Sequence, residues 1–424
     1  VFNAYFYFIL ATVIGFYVLD VVSRLLNLTA LKDELPTEFA DVYDQEKYSE
    51  SQRYTRVTTR YGLIKSTYSL IVFLAFWWLG GFGWLDEWVR SVMENELGRG
   101  LLFAGLLFVA SDVIDWPFEL YNTFVIEEKF GFNKMTVSTF FTDRLKGWAL
   151  GAALGLPLLA VILWLFGRFD GKAWLYGWIT VSSFSLIMMY LAPTYIMPLF
   201  NKFKPLENDE LKSAIDEMSK KCEFPLKEVY EIDGSKRSTK SNAFFTGLGN
   251  NKKIALYDTL IENHSVGELV AVLAHEIGHY KKKHIIKNLF IGIGQMGVLF
   301  FLLGLFLNNR HLFDAFGVKE TSAYCSLVLF SILFEPISNL LGIVMQWLSR
   351  KYEFEADAYA AEVTGRPDDL ISGLKKLSKD NLSNLTPHPF YVALKYSHPP
   401  MLERIGALRA LARGLNFSDR LPDA

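Results

Sequence analysis

The sequence predicts a mainly α, polytopic membrane protein with a small β element at one end of its helices. Three observations carry that prediction. Of the 424 residues, 51% are hydrophobic and 15% aromatic, more apolar than an average soluble domain. Seven apolar runs, roughly 1–22, 67–90, 100–118, 146–167, 173–199, 287–308 and 323–347, are long enough to cross a bilayer core, which takes about 20 residues per helix. The basic residues are lopsided: of 43 Lys and Arg, only Arg90, Arg99, Arg168, Lys172, Arg310 and Lys319 fall on one side.

Each run has its own reasons. The first lacks a basic leader and a small-residue cleavage site and carries Asp20, so it is expected to be a retained span rather than a signal peptide. The chain opens on Val1, and its numbering is expected to begin inside the native sequence. Asp112 and Asp115 sit in the third run, Gln295 in the sixth, and Glu335 beside Pro336 in the seventh. A charge facing lipid is costly, so these groups should face a protein interior or a wet cavity. The positive-inside rule then puts 23–66, 119–145, 200–286 and 348–424 on the cytoplasmic side. The expected organisation is spans one to five over 1–199, a cytoplasmic region 200–286, spans six and seven over 287–347, and a cytoplasmic helical tail 348–424. Within 200–286, "VYEID", "NAFFTG" and "KKIALYD" read as short strands, with "GNN" (249–251) as a turn.

Charge and cysteine usage narrow the function. A net charge of −2 offers no excess of cations to neutralise phosphates, so no nucleic-acid partner is expected. Cys222 and Cys325 are far apart and form no C-x-x-C, which leaves histidine and carboxylate as metal ligands. The stretch "VLAHEIGHYKKKH" supplies them. His275 and His279 are four residues apart and share one face of a helix. Glu276 between them completes H-E-x-x-H, in which the glutamate serves as general base beside a zinc. Ser265 and Glu268 read as a capping box for that helix. A catalytic zinc needs a third protein ligand. The candidate is Glu353 in "SRKYEFEADAYAAEV", with Asp357 one turn on and positioned to hydrogen-bond a ligand histidine. Glu355 is the rival, on another face. His284 ends a lysine run and reads as part of a headgroup anchor.

The ordered blocks "TFVIEEKFGFNK", "PLFNKFKPL", "DGSKRSTKSNAFFTG", "HEIGH", "EFEAD" and "YSHPPMLERI" on a seven-span layout resemble the type I CAAX prenyl proteases over nearly the whole chain. The resemblance implies a ring of seven helices around a large intramembrane chamber, with one Zn2+ per chain held by His275, His279 and Glu353. It implies Glu276 as the catalytic base, Asn242, Ala243 and Phe244 as the substrate-binding stretch, and His398 and Arg404 as tail residues closing on the active site. As donor groups, His398 and Arg404 also suit an oxyanion. The substrates implied are prenylated or hydrophobic C-terminal peptides presented from membrane lipid. The bond cut follows a prenylated cysteine and releases three residues. The expected location is the endoplasmic reticulum membrane for a eukaryotic member, or the inner membrane for a bacterial one. The alternative is a broad membrane-protein quality-control protease. Tyr280 stands where the family commonly has tryptophan and Lys240 where it commonly has histidine, which leaves substrate preference open.

Overall fold

The computed structural model describes residues 2–246 and 252–414; the "GNN" turn lies outside them. Among the described residues six helices are long and apolar enough to span a membrane: Ala4–Thr29, Glu96–Glu127, Val137–Arg168, Ala173–Leu199, His284–Phe306 and Ala323–Thr364. A seventh span is the pair Gln45–Trp78 and Gly81–Val92, bent by 60°. The bend falls at Gly80, whose φ of +77° is open to glycine at no steric cost. The expected run 67–90 therefore lies across a corner. Side-chain caps from Asn3, Asp44, Asn95 and Thr136 start four of these helices by satisfying first-turn N–H groups that lipid could not.

Consecutive spans pack on one another, the second meeting the third through Gly81–Val92, and the seventh returns to pack on the first as well as on the third and fourth. They form a ring rather than a solid bundle. Only 6% to 22% of the most apolar stretch of each of the six unbroken spans is buried in protein, too little for helices packed round a common core. Polar groups within the spans are met by protein partners. Asp112 accepts hydrogen bonds from Arg144 Nη1 at 2.8 Å, Trp116 Nε1 at 3.0 Å and Trp148 Nε1 at 2.9 Å, and Asp115 pairs with Lys65 at 3.2 Å. Glu335 lines a cavity with Thr12, Tyr17, Ser66 and Asn339. At one end the ring is sealed by an aromatic cluster that includes Phe103, Phe313, Phe316 and Tyr324.

The helix Ala323–Thr364 has 42 residues, about 63 Å at 1.5 Å per residue, against a hydrocarbon core of about 30 Å. Its first half spans, and its second half, carrying Glu353 and Asp357, projects past the other end of the ring. There it meets a four-stranded sheet of order β1-β2-β4-β3. The strands are β1 (Phe203–Pro205), β2 (Leu226–Ile232), β3 (Ala243–Thr246) and β4 (Lys252–Tyr257). β1 was not expected: three residues ending in proline carry no alternation to read. β2 and β4 are parallel, while β3 is antiparallel to β4 and forms an edge among the described residues. Leu211, Ile254, Leu256, Leu273, Ile405 and Leu408 join sheet and helices in one core.

The motif helix (Val266–Lys281) begins with the expected capping box. Ser265 Oγ accepts from the Glu268 N–H at 3.3 Å, and Ser265 N–H donates to Glu268 Oε2 at 2.8 Å. Glu268 also accepts from Ser372 Oγ at 2.5 Å and Lys376 Nζ at 2.7 Å, tying this helix to Pro367–Asp380. Burial alone would raise its pKa, but the bonds from Lys376, Ser372 and Ser265 outweigh burial and hold it below the ordinary glutamate range. Its stabilisation is therefore complete above the unfolded-state pKa and is lost as pH falls through the lower folded value. Glu268→Gln is expected to cost about 1–3 kcal/mol near neutrality. Thermal inactivation across acid pH checks this: the gap between wild type and variant should close on acidification.

Candidate active site

Three elements converge where the ring meets the sheet. His275 and His279 come from one face of the motif helix, and Glu353 from the long helix crossing it. Gly278 is where the two helices touch: a Cβ there would lie 3.1 Å from the Ala356 backbone, so the glycine inside H-E-x-x-H permits the approach that brings Glu353 in. His275 Nε2 lies 3.2 Å from His279 Nε2. Glu353 Oε2 is 3.5 Å from His275 Nε2, and Oε1 is 3.3 Å from His279 Nε2.

These distances test the group as a metal site. Ligand atoms at zinc bond lengths in a tetrahedron are separated by roughly 3.3 Å, and the three observed separations lie on that value. Among the described residues this is the group of His, Cys, Asp and Glu whose ligand atoms converge within 4.8 Å. Glu353 Oε2 is buried and makes no hydrogen bond, its one cationic neighbour among the described residues besides the histidines being Arg404 Nη1 at 3.3 Å. The donor set, two imidazoles and a carboxylate, is that of a hydrolytic metal site. The residues fit a metal.

What lies behind the ligands fixes their orientation. His275 Nδ1 is 2.8 Å from Asp357 Oδ1, so the ring presents Nε2 to the cluster. Burial lowers the basicity of His275, but the adjacent Asp357 carboxylate outweighs burial and raises it. Arg404, from the tail helix Met401–Ala412, forks onto Asp357, with Nε to Oδ2 at 2.8 Å and Nη2 to Oδ1 at 2.6 Å. Its Nη1 is 3.3 Å from Glu353 Oε2. Burial opposes its charge, but Asp357 and then Glu353 more than compensate, and it stays a cation. Pro399 and Pro400 are both buried and stiffen the entry to the tail helix. Just before them His398 is exposed, with Nε2 3.5 Å from Glu353 Oε1 and Nδ1 2.9 Å from Ser397 Oγ.

A cleft opens beside the cluster, lined by His275, Glu276, Glu353, His398 and Arg404 and, on the far wall, by Asn242 and Ala243 of the sheet edge. Glu276 is half-buried and has no hydrogen bond or ion pair among the described residues. Asn242 holds the start of β3 with its own main chain: its carbonyl accepts from Tyr257 N–H at 3.1 Å and its Oδ1 from Ala243 N–H at 2.8 Å. Phe244 is not among the lining residues, since successive side chains of a strand face opposite ways. Nor are Tyr280 and Lys240. The Tyr280 ring packs edge-on to Phe224 at 5.2 Å, and Lys240 pairs with Glu127 at 2.8 Å. Glu355 is not a ligand atom of the cluster; it bonds His284, 2.9 Å away. His284 is no headgroup anchor. It is buried behind His279, with the two Nδ1 atoms 3.0 Å apart.

A ring of membrane spans capped by a histidine–carboxylate cluster, with a free glutamate and a strand edge beside it, defines a membrane-embedded metallopeptidase. Comparison with known proteins makes this particular. Residues 24–202 match the family model described as CAAX prenyl protease N-terminal, five membrane helices, and residues 205–412 match peptidase family M48. A "Probable CAAX prenyl protease 1" of Schizosaccharomyces pombe is 37% identical, covering 89% of this chain and 82% of the relative. A "CAAX prenyl protease 1 homolog" of Arabidopsis thaliana is 36% identical, covering 94% and 96%. A crystal structure of S. mikatae Ste24p superposes with a TM-score of 0.89 at 33% identity, covering 96% of this chain and 99% of the other. The chain belongs to the CAAX prenyl protease 1 family of M48 metallopeptidases, and is a multi-pass membrane metalloendopeptidase.

Proposed function

We propose that the chain is a zinc endopeptidase that cleaves after a prenylated cysteine near a peptide's C-terminus, releasing the last three residues at the cytoplasmic face of its membrane. The observation that carries the reading is the juxtaposition of the His275–His279–Glu353 cluster, an unpaired Glu276 and the edge of β3, all at the mouth of a ring of apolar spans. Zinc held by those three residues supplies Lewis acidity toward the scissile carbonyl and the attacking water. Glu276 takes the water's proton and delivers it to the leaving amine. The edge of β3, from Asn242 and Ala243, receives the substrate backbone as an added strand. His398, exposed beside Glu353, donates to the developing oxyanion. Arg404 works one step back: its fork is engaged by Asp357 and Glu353, and it holds both carboxylates in place. The apolar ring houses the prenyl chain, whose burial is favourable by about 0.8 kcal/mol per CH2. The cytoplasmic assignment rests on the lopsided basic residues.

The test compares metal content with cleavage of a farnesylated CAAX peptide and its unprenylated twin. One zinc per chain and a strong preference for the farnesylated peptide are expected. Equal cleavage of both would move the reading to broad membrane-protein quality control, and a protein without zinc or cleavage would overturn it.

A further inference from the structure

We propose that His284 and Glu355 form a positioning relay behind His279, and that the relay sets this residue's tautomer and with it the affinity of the site for its metal. The inference rests on the zinc reading above and adds two residues to it.

The turn between helices makes the relay. In an unbroken helix, residues five apart point about 140° away from each other. Here the motif helix stops at Lys281, Lys283 takes the left-handed conformation (φ +60°, ψ 29°), and a new helix starts at His284. The reversal swings the His284 ring back onto the His279 ring, with centroids 5.2 Å apart. A left-handed lysine costs about 1–2 kcal/mol, a strain that persists only where the surroundings fix it. The His284 side chain is 2% exposed. Its Nδ1 faces His279 Nδ1 at 3.0 Å, its Nε2 faces Glu355 Oε2 at 2.9 Å, and its face stacks on Tyr352 at 4.0 Å with an interplanar angle of 9°.

Counting hydrogens gives the direction. His279 turns Nε2 toward Glu353 and His275, and a ligand nitrogen carries no hydrogen. The neutral ring then has its hydrogen on Nδ1, which donates to His284 Nδ1. That nitrogen must accept, so the hydrogen of His284 sits on Nε2 and donates to Glu355. The chain Glu355–His284–His279 is filled once at each link with none to spare. Each motif histidine therefore has a carboxylate behind it: His275 has Asp357 directly, and His279 has Glu355 through one imidazole. Glu355 is two residues from both Glu353 and Asp357, so it leaves the long helix on a different face, which is why an intermediary is needed to reach His279.

Two substitutions at His284 separate the relay from simple packing. His284→Phe keeps a ring to stack on Tyr352 but offers no acceptor. His284→Asn loses the stack but places an amide oxygen near the position of Nδ1. Zinc affinity of the full chain is measured by chelator competition, together with melting of the metal-free protein. The relay predicts affinity weakened by about 10–100-fold for His284→Phe and largely rescued by His284→Asn. A packing role predicts the reverse order and would overturn the proposal. Should His284→Phe fail to fold, Glu355 decides, since that side chain is 31% exposed and tolerates change. Glu355→Leu is expected to weaken zinc binding and Glu355→Gln, which keeps an acceptor oxygen, to restore most of it. Equal affinity in both overturns the relay while leaving the zinc reading intact. A wild type that binds no zinc overturns both.

Discussion

Glu276→Gln is expected to lower kcat by about 10²–10⁴-fold, or roughly 3–5 kcal/mol of barrier, with bound metal and thermal stability unchanged. The separation follows from the contacts. Glu276 is one residue on from His275 and three before His279, so it leaves the helix about 100° and about 60° round from them, and its carboxylate lines the cleft. It makes no hydrogen bond or ion pair among the described residues, so replacing it with an isosteric amide breaks neither and removes only a longer-range attraction to Arg404. What is lost is a base: the amide cannot take a proton from water. Metal content by atomic spectroscopy, melting temperature and peptide cleavage on one preparation check the three claims together. Loss of metal in the variant would mean that Glu276 is a ligand. Unaltered kcat would mean that the proton goes elsewhere, with His398 the nearest group to examine.

Much of this arrangement was legible because it is local. The four-residue spacing of His275 and His279 fixes a shared helix face whatever the tertiary structure, and Ser265 and Glu268 cap within one turn. The positions of the six unbroken spans follow from apolar length, whereas the second, bent at Gly80, does not. The choice of Glu353 over Glu355 followed from facing: Glu353 shares a face with Asp357, and those are the two that reach the motif histidines. What escaped the sequence depends on the chain turning back on itself. His284 follows three lysines and reads as an extension of their charge; only the left-handed Lys283 brings it behind His279, and a non-glycine residue gives no warning of such a turn. The space at Gly278 is meaningful only once Ala356 is known to face it. Lys240 and Tyr280 bear on substrate preference in the sequence only because they neighbour motif residues there. Tyr280 leaves the motif helix on another face and packs on Phe224, while Lys240 lies in the loop before β3 and reaches Glu127; neither lines the cleft. The closed order of the spans is a matter of long-range packing that no run of apolar residues encodes.

Arg404→Met is expected to destabilise the chain by about 3–5 kcal/mol and to abolish activity even where folded protein is recovered. The Asp357 side chain has no solvent exposure and that of Arg404 is 5% exposed. Removing the cation strands a buried carboxylate that keeps His275 as its one remaining partner. Repulsion between Asp357 and Glu353, which Arg404 bridges at 2.6 Å and 3.3 Å, then goes uncompensated unless a metal is bound. The variant should therefore gain more stability from added zinc than the wild type does, since ligand binding stabilises in proportion to what the folded state gains. Arg404→Lys is expected to recover little, because a single ammonium cannot reproduce a fork that meets both oxygens of Asp357 while also reaching Glu353. A double-mutant cycle with Asp357→Asn reads the coupling directly: the double variant should be less destabilised than the sum of the singles. Strict additivity would mean that Arg404 contributes through the packing of its stem, and that the tail helix joins the site by its apolar face alone.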